Sequence, residues 1–124
     1  MADVTVKRVE EIDHYKGPNA IAGIKFHIAG RALGVTAWGM NVLEIAPGAD
    51  GHPEHDHARD GQEEVYVVLA GSGILRVGTE EWPLTPGTLA RCGPTARRKL
   101  IPGPDGVTVL ALGATPGKAY EPRR

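Results

Sequence analysis

The 124-residue chain carries 14 basic and 15 acidic side chains, a net charge of −1 and a pI near 6.5, so no chain-wide field draws it to nucleic acid or to an anionic membrane. Its 41% apolar content is that of a globular domain with a real core, and 17 glycines and 10 prolines are too many for a helical bundle. The single cysteine, Cys92, excludes an internal disulfide and fits a reducing compartment.

The opening residues, MADVTVKRVEEID, hold no apolar segment of the signal-peptide kind, and no stretch approaches the ~20 apolar residues of a membrane helix. The expected location is the cytoplasm. Residues 1–34 read as an N-terminal arm that packs on the main body, residues 35–124, or on a partner subunit. Within the arm, Arg8–Asp13 can form a short helix and Ile28–Leu33 a single turn before Gly34. Residues 35–46 read as a β-branched, apolar strand ended by Pro47-Gly48. Strands follow over Glu63–Ala70 and Ile74–Val77, joined by a tight Gly71-Ser72-Gly73 hairpin, then around Trp82–Leu84 after a turn at Gly78-Thr79-Glu80. Pro86-Gly87 leads into Thr88–Arg91. Arg97–Ile101 precedes a turn at Pro102-Gly103-Pro104-Asp105-Gly106, and Val107–Leu112 closes the series. Short strands between Gly/Pro turns point to an all-β sandwich or barrel with under about a tenth of its residues in helix, against the ~30–35% of an average domain.

The chemistry concentrates in HPEHDHARDGQEEVYVVLAG, residues 52–71. Imidazole and carboxylate hold divalent transition metals. In an extended segment His55 and His57 share one face, and His52, at odd spacing, faces away. Past the turn at Asp60-Gly61, residues Gln62, Glu64, Tyr66 and Val68 share a face. Hairpin-linked strands can thus bring His55, His57 and Glu64, or Gln62 in its place, to one point. His14 and His27 have no evident partners and read as surface or half-buried residues. Trp38 and Trp82 are expected in the core, or else as a wall of a ligand pocket. Ser72, the only serine, sits in a turn, which argues against a Ser-His-Asp site. Cys92 reads as a buried, inert thiol. The run Arg97-Arg98-Lys99 would alternate faces in a strand and lacks interleaved aromatics, so it makes no nucleic-acid stripe.

The same segment resembles the first motif of the cupin superfamily: Gly, five residues, His-x-His, three or four residues, Glu, six residues, Gly. Pro47-Gly48 stands for the opening turn, followed by six residues instead of five; His55 and His57 match the His-x-His, and six residues separate Glu64 from Gly71. Six residues separate His57 from Glu64, so counting forward selects Gln62 and counting back selects Glu64; the latter fits a strand end fixed by pairing. The second motif, Pro-x-Gly followed by a histidine, is similar only in its turn, Pro86-Gly87. The resemblance places the fourth ligand on Arg98, or on Arg97 after a one-residue slip, and arginine has no lone pair for a metal.

The resemblance implies an antiparallel jelly-roll β-barrel, a small-molecule ligand, a homodimer and a divalent metal such as Fe, Ni, Mn or Zn. Losing the motif-two histidine leaves two imidazoles and one carboxylate. That set resembles the facial triad of Fe(II) oxygenases, which keeps positions open for substrate and O₂. Arg98 would orient an anionic substrate, and Tyr66 would be a pocket donor. The alternative is a binding or sensing domain without turnover, in which Arg98 pairs with Glu64 or with the ligand. The outward set Val65, Val67 and Leu69 is apolar where a half-exposed strand should be polar. It calls for a cover, either the arm (Ile21, Ile24, Phe26, Ile28) or a second subunit.

Overall fold

The computed structural model describes residues 2–122. It is an antiparallel β-structure of six strands: β1 (Ile24–His27), β2 (Gly39–Ile45), β3 (Glu63–Val77), β4 (Glu80–Leu84), β5 (Leu89–Cys92) and β6 (Arg98–Ala114). Hydrogen-bonded order runs β1-β2-β6-β3-β4, with β5 on β3, the arrangement of a jelly-roll barrel. Helix among the described residues is confined to a 3-10 turn at Val9–Glu11 and to α1 (Ala29–Leu33), which ends on Gly34 in the left-handed conformation. No helix among the described residues is long and apolar enough to cross a membrane.

Alternation along the strands builds two cores. Leu43 and Ile45 of β2, Tyr66 and Val68 of β3, and Leu100, Val107, Val109 and Ala111 of β6 fill the barrel interior with Leu75, Leu84 and Cys92. Their neighbours in sequence, Val42 and Leu110, face out and meet Val9, Ile12, Ala29 and Ala32. The segment before β1 therefore packs outside the barrel, whereas β1, inside the stretch read as an arm, pairs with β2 as part of the sheet. Ile24 lies in the interior core with Phe26 against it, and Ile21 is exposed, so none of these three covers Val65, Val67 and Leu69.

Two expected turns are absent. Gly71-Ser72-Gly73 does not reverse the chain; β3 runs through it, and Pro102–Gly106 lies opposite within an equally continuous β6. Gly71 pairs with Val107 and Gly73 with Pro102, so a two-residue step on β3 faces a five-residue step on β6. This wide bulge accommodates prolines that lack ladder donors. A Cβ at Gly71 would run into the Gly106 carbonyl, which is why glycine stands there. Both halves of β6 thereby contribute side chains to the interior of the barrel. Trp38 and Trp82 are each 44% exposed and lie outside the core expected for them.

Candidate metal centre

The loop from His52 to His57 is fastened to the start of β6. His55 and Arg98 exchange backbone bonds, His55 N–H to Arg98 O at 3.0 Å and Arg98 N–H to His55 O at 2.8 Å, and His57 N–H donates to Pro94 O at 2.8 Å. This places both imidazoles over Glu64 at the start of β3. His55 Nε2 lies 3.8 Å and His57 Nε2 4.0 Å from Glu64 Oε1. Among the described residues, His55, His57 and Glu64 form the one group of three whose ligating atoms all lie within 4.8 Å of each other. On the far side of each ring an acceptor fixes its orientation. His55 Nδ1 donates to Pro53 O at 2.9 Å, and His57 Nδ1 donates to Asp60 Oδ1 at 3.2 Å. With Nδ1 protonated in this way, Nε2 presents its lone pair inward. Gln62 is not brought to the same point by any contact seen; its side-chain carbonyl lies over Gly113.

Arg98 has no exposed surface and stands against Glu64, the acidic partner that one of the two sequence readings gave it. Strand parity sets it there, since Arg98 faces inward with Leu100 while Arg97 faces solvent and pairs with Glu54 at 3.3 Å. Its guanidinium donates to Glu64 Oε1 at 2.8 Å, to Ala96 O at 2.7 Å and to Tyr66 Oη at 3.4 Å. Tyr66 in turn donates to Glu64 Oε1 at 2.6 Å. Burial raises the Glu64 carboxyl, but His55, Tyr66 and Arg98 outweigh it and bring its pKa down to about 2. Burial, reinforced by Glu64, pushes the Tyr66 phenol up, which keeps it a donor. The Glu64 carboxylate raises His55 against the effect of burial. Cys92, opposite Glu64 in the β3–β5 register, is buried with its thiol pKa raised by that burial, as expected for an unreactive group.

The sequence matches the cupin domain family over residues 41–110, more than half of the chain. The chain belongs to the cupin domain family. No curated protein matches it in sequence. Among solved structures it is similar to a sugar phosphate isomerase of the cupin superfamily from Silicibacter pomeroyi, with 22% identity and a TM-score of 0.77 over 89% of this chain and 75% of that one. It is also similar to a proposed sugar phosphate isomerase from Acidithiobacillus ferrooxidans, with 25% identity and a TM-score of 0.64 over 73% of this chain. The match spans 58% of that protein, less than two thirds of its length. A third is KdgF from Halomonas sp., with 18% identity and a TM-score of 0.69 over 93% and 90% of the two chains.

The donor set of this cupin fits a divalent metal. Two ligands about 2.1 Å from one ion stand roughly 3.0–3.4 Å apart, so separations of 3.8 and 4.0 Å need less than about 1 Å of closure. An ionised carboxylate offers about four lone-pair directions, and Tyr66 and Arg98 occupy two. Both of those bonds fall on Oε1, so the acceptor directions that Glu64 keeps free are those of Oε2.

His52 does not face away, because residues 52–57 make a loop in which strand parity fails. Its ring is buried 5.6 Å from that of His55, and Nδ1 accepts the Leu100 N–H at 3.1 Å. Burial, with His55 and Lys99 nearby, lowers its pKa from the ordinary 6.5 to about 4. The unfolded chain takes up this proton near pH 6.5 and the fold resists it until about 4, so stability present above 6.5 drains away as pH falls through that window. Urea denaturation of the metal-free protein should show a loss of up to about 3 kcal/mol between those limits, and His52→Asn should flatten the slope. His27, read as a surface or half-buried residue with no evident partner, is likewise buried. Its Nδ1 meets Ile12 O and its Nε2 meets Glu44 Oε2, both at 2.6 Å, tying the N-terminal segment to β1 and β2.

Proposed function

We propose that this cupin binds one divalent transition metal (Fe, Ni, Mn or Zn) through Nε2 of His55, Nε2 of His57 and the Glu64 carboxylate. We further propose that it acts on a small anionic molecule entering the barrel mouth. The observation that carries the reading is the pair of Nδ1 tethers, to Pro53 O and to Asp60, which turn both Nε2 lone pairs onto one carboxylate. Solvated loop histidines need no such tethers. When bound, a divalent ion supplies Lewis acidity and, as Fe(II), a place for O₂, the chemistry of a non-haem oxygenase. The chain's own residues shape that centre: Arg98 and Tyr66 hold Glu64 ionised and turned toward the histidines. Because the Arg98 guanidinium is spent on Glu64, Ala96 and Tyr66, we assign it to positioning Glu64 instead of contacting substrate. The similarity to the proposed sugar phosphate isomerase is in keeping with a small anionic substrate.

A binding domain without turnover is the second reading, favoured by the use Arg98 and Tyr66 already make of Glu64 Oε1. Elemental analysis of purified protein, beside anomalous diffraction, separates the two. Stoichiometric metal between His55 and His57 supports the first; a centre that stays substoichiometric after reconstitution supports the second.

We also propose a homodimer. The N-terminal cluster reaches Leu110 and stops, leaving Leu69 45% and Leu89 71% exposed beside Val65 and Val67. A second copy would cover that face. Light scattering should give about twice the 13.1 kDa chain mass, and a monomer throughout the micromolar range would remove the proposal.

A further inference from the structure

We infer that His52 is a positioning residue for the metal centre, acting on His55 through the carbonyl of Pro53. The inference rests on the metal reading above. His55 and Arg98 form a hydrogen-bonded antiparallel pair, so the next such pair along the ladder is Pro53 with Leu100. That pair cannot form in the ordinary way. Proline has no N–H to give, and the Pro53 carbonyl, which would accept the Leu100 N–H, is turned instead to the Nδ1 of His55 at 2.9 Å. Leu100 has no exposed surface, and an unpaired backbone donor there would be costly. His52 Nδ1 takes that donor at 3.1 Å.

The imidazole of His52 therefore stands in for a strand carbonyl. By satisfying Leu100 it frees the Pro53 carbonyl to hold the His55 ring, and that hold sets the tautomer that presents Nε2 to Glu64. A second fastening keeps His52 in place, since Lys99 Nζ donates to the carbonyls of Asp50 at 2.6 Å and His52 at 2.7 Å. Removing the His52 acceptor should let Leu100 N–H recruit its register partner, Pro53 O, and release His55 Nδ1. His52 thus acts without contacting the metal.

Asparagine carries an oxygen where histidine has Nδ1, whereas glutamine reaches one atom farther and leucine offers no acceptor. His52→Asn, His52→Gln and His52→Leu separate acceptor position from bulk and polarity. Two readouts apply: the His55 tautomer in metal-free protein, from long-range ¹H–¹⁵N correlations at a pH where the ring is neutral, and Co²⁺ affinity by chelator competition with the visible Co²⁺ spectrum. Wild type and His52→Asn should keep His55 as the Nδ1–H tautomer. His52→Gln and His52→Leu should lose that tautomer, weaken Co²⁺ by at least about tenfold and alter its spectrum. Should His52→Leu fail to fold, the Asn and Gln pair carries the comparison. A His52→Gln protein with the wild-type tautomer, affinity and spectrum overturns the inference. Wild-type protein that takes up no Co²⁺ overturns the metal reading instead, and the tautomer measurement then still reports whether His52 sets His55.

Discussion

Replacing His55 and His57 together by alanine is expected to abolish bound metal and leave the barrel folded. Both side chains are partly exposed, neither belongs to either apolar cluster, and the loop keeps its backbone bonds to Arg98 and Pro94 whatever the side chains are. Loss of the two imidazoles leaves Glu64 as a lone carboxylate already engaged by Arg98 and Tyr66, a donor set too small for a divalent ion at ordinary concentrations. Far-UV circular dichroism and elemental analysis of the same sample check both halves. Stoichiometric metal retained by the double variant would show that the ion sits elsewhere.

The contact between β3 and the histidine loop was legible because it depends on alternation and on one motif. Glu64, Tyr66 and Val68 face inward as period two requires, and His55 and His57 meet over Glu64. What alternation could not supply was the path of the backbone. Gly71-Ser72-Gly73 and Pro102–Gly106 each have hairpin composition, yet each is the other's partner across a bulge; glycine marks close approach there, not reversal. His52 was misplaced because parity holds only in an extended chain. The full burial of Arg98 was not legible, because a charged side chain is rarely enclosed and its burial depends on Glu64 and Tyr66, which lie more than thirty positions away. Its pairing with Glu64 was legible as one alternative, since an arginine facing into a barrel needs a carboxylate beside it. The exposed Trp38 and Trp82 have no comparable signal in the sequence.

Arg98→His is expected to tighten Fe, Ni or Zn binding by at least about tenfold, because it removes a fixed cation and supplies an imidazole where the cupin pattern carries one. A metal on the Glu64 carboxylate could lie as close as about 5 Å to the Arg98 nitrogen that donates to Oε1 at 2.8 Å. At that range and an effective dielectric of about 20, a +1 and a +2 charge repel by roughly 6–7 kcal/mol before screening, an upper bound that the intervening Glu64 carboxylate reduces. The substitution also has a cost. Ala96 O and Glu64 lose a buried donor, and a histidine leaves part of the guanidinium's volume empty, so the metal-free variant should be less stable than wild type by a few kcal/mol. Metal should recover much of that loss, since an ion that binds only the folded state stabilises it in proportion to affinity. The expected pattern is a lower melting temperature without metal and a larger rise on adding it. Arg98→Met separates the two effects, because it removes the charge and adds no ligand. Chelator competition should place Arg98→His tightest, and the position of Arg98→Met relative to wild type reports the balance between the repulsion removed and the hold on Glu64 lost. Equal affinity in wild type and Arg98→His would mean that neither the charge nor the position of Arg98 bears on the ion, and the centre would then lie farther from Glu64 Oε1 than its geometry implies.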